Sequence, residues 1–281
     1  MITGYRYMQQ PMKYTSLAIA VLLLNGCFEN TRNTDRLCLD HPELRCEELN
    51  INDGQCRVAR TNLIWHRLEV YKDPTDINKI TEYQLTQQYK KCLEVAAQIQ
   101  PIDQADLKKR RFNALLNSGK NMERLEKELM QFNTPSSLYF LWSQTGDTQA
   151  RRQFLQLEGK PEMETAALQY ALATFYIDRD REKTIKLLNH ALELSDPESL
   201  NTSILESLAS LNQLLRHQEA SYIWAMVGKH FGVPIASTQN IQLMYGFSDE
   251  KFSMLDDIAD MIIDAVENQE YHPSMIPEFK K

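Results

Sequence analysis

Carboxylates that stand close together in the sequence are the first residues that chemistry could use: Glu47-Glu48, Glu162 with Glu164, and Asp256-Asp257. Two such groups facing across a cleft, one of them held protonated, hydrolyse glycosidic bonds by general acid and base. Each of these pairs has charged or polar neighbours that give no reason for a raised pKa, so solvated surface is the expectation. The histidines are His41, His66, His190, His217, His230 and His272, and only His217 and His230 lie close, thirteen apart, which suits no metal template. Trp65-His66-Arg67 offers an indole and a guanidinium that could stack on a sugar or a peptide, against half-buried helix packing as the plainer reading. The chain has no phosphate loop, dinucleotide-binding glycine pattern, Gly-x-Ser-x-Gly elbow or His-Glu-x-x-His helix. The expectation is no catalytic residue, no metal and no cofactor.

Cysteine is the residue whose spacing says most. Cys27 closes the run Leu22 to Cys27, LLLNGC, at the end of the apolar stretch Leu17 to Leu24. That stretch is too short to span a membrane, which takes about 20 apolar residues, and follows Lys13 as the core of a signal peptide does. Leu24-Asn25-Gly26-Cys27 resembles the bacterial lipobox, with Asn25 departing from the small or β-branched residue usual there. The resemblance implies diacylglyceryl transfer to the Cys27 thiol and removal of residues 1–26. Phe28 in place of an aspartate after Cys27 implies sorting to the outer membrane, with the domain facing the periplasm. Met12 is a natural alternative start. The other cysteines, Cys38, Cys46, Cys56 and Cys92, are even in number and fit two disulfides in an oxidising compartment. Three pairings are possible; Cys38 with Cys46 and Cys56 with Cys92 is preferred. A zinc site using His41 or His66 is the rival, and no Cys-x-x-Cys spacing supports it.

Composition bounds the rest. A 43% hydrophobic content supports a packed core, and sparse Gly (9) and Pro (10) in 281 residues favour helix. Losing residues 1–26 removes Arg6 and Lys13 from a net charge of −7 and leaves −9. Such a surface repels phosphate backbones, so nucleic acid is not an expected partner. Lys108, Lys109, Arg110 and Arg111 make a local basic run whose periodic apolar neighbours point to a solvated helix face.

Residues 28–36 read as a polar tether. Turn signals at His41-Pro42 and Asn52-Asp53-Gly54 mark the cysteine-rich segment. Helical spacing then predicts elements over Asn62 to Tyr71, with a strand as the alternative, and over Asn78 to Gln100, stopped by Pro101. Asp103 would cap a helix ended by Ser118-Gly119, and residues 121–132 form another. From Leu138 the chain repeats: Leu138 to Trp142, Leu172 to Tyr176 and Leu208 to Asn212 begin 34 and 36 residues apart. Ala150, Thr184 and Ala220 follow at a constant offset, then Phe154, Leu188 and Trp224, then Leu157, Ala191 and Val227. Trp142, Tyr176 and Trp224 are expected in the core. Further on, Ser237 to Tyr245 reads as a short helix. Phe252 to Val266 is an amphipathic cap, and the tail from His272 is expected to be loose.

Leu172-Ala173-x-x-Tyr176 and Ala220-x-x-x-Trp224, with Pro197 behind the second helix of its pair, resemble tetratricopeptide repeats over residues 134–232. That resemblance implies a groove lined by the first helices, at Ser136, Phe140, Tyr170, Thr174, Glu206 and Ser210. The segments LNGCFEN, NDGQCR, NLIWHR, YFLWSQTGD, LQLEG and LLNHALEL are similar to an uncharacterised lipoprotein family of Vibrio-type gammaproteobacteria. This similarity implies an envelope location and no particular chemistry.

The sequence thus predicts an all-α fold, a tetratricopeptide-like superhelix of helical hairpins behind a disulfide-pinned N-terminal helical segment. Its divisions are a signal peptide (1–26), lipidated tether (27–36), cysteine-containing region (37–132), repeats (133–232) and C-terminal cap and tail (233–281). The expected role is a non-enzymatic scaffold or adaptor for an envelope protein or peptide. A carboxylate-dependent cell-wall glycan hydrolase is the alternative.

Overall fold

The computed structural model describes residues 33–99 and 105–279. The expected signal peptide, Cys27, the tether up to Arg32, Pro101 and Asp103 lie outside the described residues. All regular elements among the described residues are helical. In chain order these are α1 (Thr34–Asp40), α2 (Arg57–Lys72), α3 (Asp76–Ala96), α4 (Ala105–Leu129), α5 (Pro135–Thr145) and α6 (Thr148–Gln156). They continue as α7 (Ala166–Tyr176), α8 (Arg181–Glu193), α9 (Ser203–Leu214), α10 (Gln218–His230), α11 (Thr238–Tyr245) and α12 (Asp249–Glu267). None of them is long and apolar enough to cross a membrane. The chain divides into two compact units, one of Met1–Pro74 with Glu82–Asn121 and one of Thr75–Thr81 with Met122–Lys281.

The first unit has a small apolar centre of Leu44, Leu49, Leu63, Ile64, Leu68, Tyr89, Leu93 and Ala114. Covalent closure supplements it, since a short loop-rich segment buries little apolar surface of its own. Cys38 is bonded to Cys46, fastening α1 to the 3-10 turns at Pro42–Leu44 and Cys46–Glu48. Cys56 is bonded to Cys92, fastening the start of α2 to α3. Cys56 sits in the left-handed region at φ 59°, a conformation unfavourable to a side chain with a Cβ, and the bond to Cys92 holds it there.

Several boundaries differ from expectation for identifiable reasons. Thr34 to Arg36 are helical, not tether, because the Asn33 side chain caps α1 by accepting from Arg36 N. Helix α2 begins at Arg57, earlier than Asn62, and no strand forms there. Ser118-Gly119 does not end a helix: α4 runs through it for 25 residues. The buried positions Arg111, Ala114, Ser118, Asn121, Leu125 and Leu129 keep helical spacing across Gly119, and Ser118 Oγ returns its hydrogen bond to Ala114 O. One burial stripe outweighs the roughly 1 kcal/mol that an interior glycine costs.

In the second unit α5 packs with α6, α7 with α8, and α9 with α10, and α12 covers α10. Thr134 and Ser137 form a capping box at α5, while Asp147 and Asp180 cap α6 and α8 through backbone N–H groups. Of the constant-offset residues, Ala150, Thr184, Ala220, Phe154, Leu188, Trp224, Ala191 and Val227 are buried and Leu157 is half-buried. Trp142 and Tyr176 are half-buried, not core. Trp142 packs edge-on to Phe175, whereas Tyr176 keeps its hydroxyl outward to donate to Glu158 (2.6 Å) beneath the Lys183 ammonium. The described part of the tail, up to Phe279, is docked instead of loose: Met275, Ile276 and Phe279 pack half-buried on the core. Immediately before it, Tyr271 is 5% exposed, donates to Asn189 Oδ1 and meets Trp224 edge-on. Burying these side chains offsets the entropy of ordering the segment.

Candidate functional site

The densest polar arrangement in the first unit centres on Asn50, which is fully buried. Its amide nitrogen donates to Asp53 Oδ2 (3.0 Å) and Gln55 O (3.1 Å), and its carbonyls accept from Arg60 Nη1. Tyr89 Oη accepts from Asn50 N (3.0 Å) and donates to Asn50 Oδ1 (2.5 Å). Burial drives the Tyr89 phenol up to about 12, so it stays a neutral donor. Asp53 receives a two-pronged hydrogen bond from Arg111, at 2.6 and 3.0 Å. Burial alone would raise the Asp53 carboxyl; the Arg111 fork, Gln55 N–H and the Asn50 amide overcome it and hold the group at about 2. A second buried set lies beside it: Glu82 Oε1 is 3.3 Å from both Arg45 Nη2 and Arg67 Nε. In the first set the Arg111 guanidinium matches the Asp53 carboxylate, and in the second the Glu82 carboxylate faces two guanidinium groups.

In the second unit, a recess of about 220 Å³ opens among α9, α10 and α11, lined by Ala209, Ser210, Gln213, Ala225, Ile241 and Met244. Ser221 Oγ donates to Ala209 O (3.0 Å) and pairs with Tyr245 Oη (2.9 Å), so the polar groups at its edge are satisfied. Leu243 and Met244 on α11 are 83% and 53% exposed, and Leu214, one turn beyond Ser210, is also exposed.

A family model described as "Protein of unknown function (DUF2989)" matches residues 24–226. The chain belongs to this family. No curated protein and no solved structure matches it. In this DUF2989 chain the matched span holds Cys27, the disulfide cysteines, the whole Asn50 network and every predicted groove position; α11, α12 and the tail follow it.

The predicted groove residues divide by exposure. Thr174, Glu206 and Ser210 are exposed, Ser136 and Tyr170 are half-buried, and Tyr170 packs against the core. Phe140 is buried at 4% exposure and cannot line a groove, because α5 turns that residue inward with Leu141. Trp65-His66-Arg67 fans apart: Trp65 Nε1 donates to Thr34 Oγ1 (3.1 Å), while Arg67 Nη1 donates to Leu44 O (2.8 Å). Neither is aimed with the other at a common ligand. No group of three metal-ligating side chains occurs among the described residues, His41 and His66 included.

One carboxylate of each sequence pair has its own partner. Glu48 accepts from Asn121 (2.7 Å), Glu164 pairs with His190 (2.6 Å) and Asp256 accepts from Tyr222 (2.7 Å). Among the other histidines, His230 pairs with Glu267 (2.7 Å) and His217 approaches Asn212 Oδ1 (3.4 Å). Sequence reasoning passed over Asn50, Arg60, Glu82 and Tyr89. The nearest signal was Asn52-Asp53-Gly54, which read as a turn and holds only Asp53 of the network.

Proposed function

We propose that this protein is a lipid-anchored periplasmic adaptor, held at the outer membrane through Cys27, whose second unit binds an envelope protein or an extended peptide. The observation that carries the reading is the recess at Ser210. It joins a sequence-predicted groove position to small residues, Ala209 and Ala225, and to the exposed Met244, with exposed Leu243 beside it on α11. Small residues let a partner's side chain enter closely, and a flexible methionine adapts to its shape. The buried constant-offset residues support a tetratricopeptide-like stacking of helix pairs, whose exposed first-helix faces suit peptide recognition.

The glycan-hydrolase alternative gains no support from titration. The carboxyls of Glu43, Asp53, Glu128, Glu158 and Glu250 are all held below the ordinary carboxylate range, whereas a general acid needs a raised one.

The test is photo-crosslinking in intact cells, with a photoreactive amino acid at Ser210 or Met244 and, as control, at the exposed Lys91 of α3. Positions 210 and 244 should give the same discrete protein adduct and position 91 should not. Equal adducts at all three, or none at 210 and 244, would sink the proposal.

A further inference from the structure

Among the buried guanidinium groups, Arg60 stands apart. Arg111 is paired with Asp53, and Arg67 lies against Glu82. Arg60 is 7% exposed, and among the described residues its Nη1 donates only to neutral oxygens: Asn50 O (2.8 Å), Asn50 Oδ1 (3.1 Å) and Gln55 O (3.3 Å). These contacts orient the guanidinium without compensating its charge, and a buried uncompensated charge is costly. Arg60 also lines a cleft of about 560 Å³, walled by the first residues of α1, the loop Ile51 to Gly54 and the first turns of α2.

The rest of that wall favours a negative ligand. Arg57 and Thr61 line the same cleft, and Arg57 neighbours both Arg60, three residues on, and Thr61, four residues on, along α2. Arg57 is exposed and makes no ion pair among the described residues. The N-terminus of α2 opens beside them with no side chain capping it, since its N-cap is Cys56. Its first N–H groups therefore add partial positive charge to what the two arginines supply.

The charge balance selects the kind of anion. Asp35 and Asp53 also line the cleft, and Asp53 is already matched by Arg111. Against Arg57 and Arg60, Asp35, which makes no ion pair among the described residues, leaves an excess of a single positive charge. A monoanion fits that excess; a phosphate dianion does not. The cleft lies in the size range of small-molecule sites, so it has room for more than the anionic group itself.

We propose that this cleft binds a small organic carboxylate, with Arg60 and Arg57 holding the carboxylate and the first N–H groups of α2 assisting. Planar guanidinium groups match carboxylate geometry, which a lysine in either place would not reproduce. The proposal concerns the first unit and stands independently of the adaptor reading.

The cleft carries its own reporter. Trp65 donates its indole N–H to Thr34 Oγ1, and Thr34 lines the cleft. The indole N–H resonance of Trp65 in the full chain is followed by NMR during titration with N-acetylalanine, with N-acetylalaninamide as the uncharged counterpart, and with inorganic phosphate. N-acetylalanine should shift the resonance saturably and the amide should leave it in place. Arg57→Gln, at an exposed position, keeps the fold and should weaken binding about tenfold, the loss of one charge-assisted contact; Arg60→Gln should weaken it further. A shift with the amide equal to that with the acid would overturn the proposal, as would Arg57→Gln binding like the wild type. Tighter binding of phosphate than of N-acetylalanine would overturn the monoanion assignment.

Discussion

Asp53 is ionised in a place that water barely reaches, and its environment explains how. Burial works against the charge, while the Arg111 fork, the Gln55 N–H and the Asn50 amide together favour it and hold the carboxyl at about 2. The folded pKa is thus below the ordinary 3.8, so the carboxylate's contribution is complete above that value and is lost as pH falls from about 4 towards 2. Its size is on the order of 2 kcal/mol. In urea unfolding followed at pH 7 and at pH 2.5 (roughly the window set by linkage), the wild type should lose most of this increment and Asp53→Asn should not. The variant should also be less stable at neutral pH, by about 3 kcal/mol, because it leaves Arg111 buried without its partner. An unchanged acid dependence in the variant would mean that other carboxylates dominate. None of this could be read from the sequence. Asn52-Asp53-Gly54 looked like a turn and Lys108 to Arg111 like a solvated run, as Lys108, Lys109 and Arg110 are. Whether Asp53 and Arg111 are buried depends on each other across 58 positions, and no local window carries that.

At the scale of elements, periodicity identified helices well and punctuation identified their ends badly. The apolar spacing of α3, α7, α9 and α12 was visible because each buries a stripe, and a stripe repeats. Ser118-Gly119 was read as a stop because glycine commonly follows a helix, yet here burial resumes on the same face beyond it. The two readings predict opposite effects for one substitution. Inside a helix, Gly119→Ala restricts the unfolded chain and adds helix propensity; a Cβ at that position would meet nothing within 4 Å. Thermal or urea unfolding should show stabilisation by about 0.5–1 kcal/mol. Destabilisation would restore the break at Ser118-Gly119. The docked tail teaches the converse: Tyr271, Met275, Ile276 and Phe279 have no regular spacing, so their burial left no pattern to find.

For the molecule as a whole, helical class followed from composition, with few glycines and prolines and long runs of helix formers, because these are averages that tertiary context does not reverse. The disulfides at Cys38–Cys46 and Cys56–Cys92 join neighbours in sequence order, the pairing with the shortest loops to close. Activity had no such averages to express it, and what the chain binds rests on proposed surfaces in each unit. On the proposed lipid anchor at Cys27 both surfaces would act at a membrane, and the anchor is separately testable. A net charge of −7, or −9 if residues 1–26 were removed, repels anionic headgroups, so surface electrostatics would not keep the domain at a membrane. Two acyl chains on a diacylglyceryl group would, since each buried methylene contributes about 0.8 kcal/mol and two chains together give stable anchoring. Cells fed radioactive palmitate should therefore label the wild-type protein and leave Cys27→Ser unlabelled, and the variant should move from the membrane fraction to the soluble periplasmic fraction. Wild-type protein without label would end the anchor. Labelled Cys27→Ser would transfer it to another residue and remove the reason for expecting residues 1–26 to be cleaved.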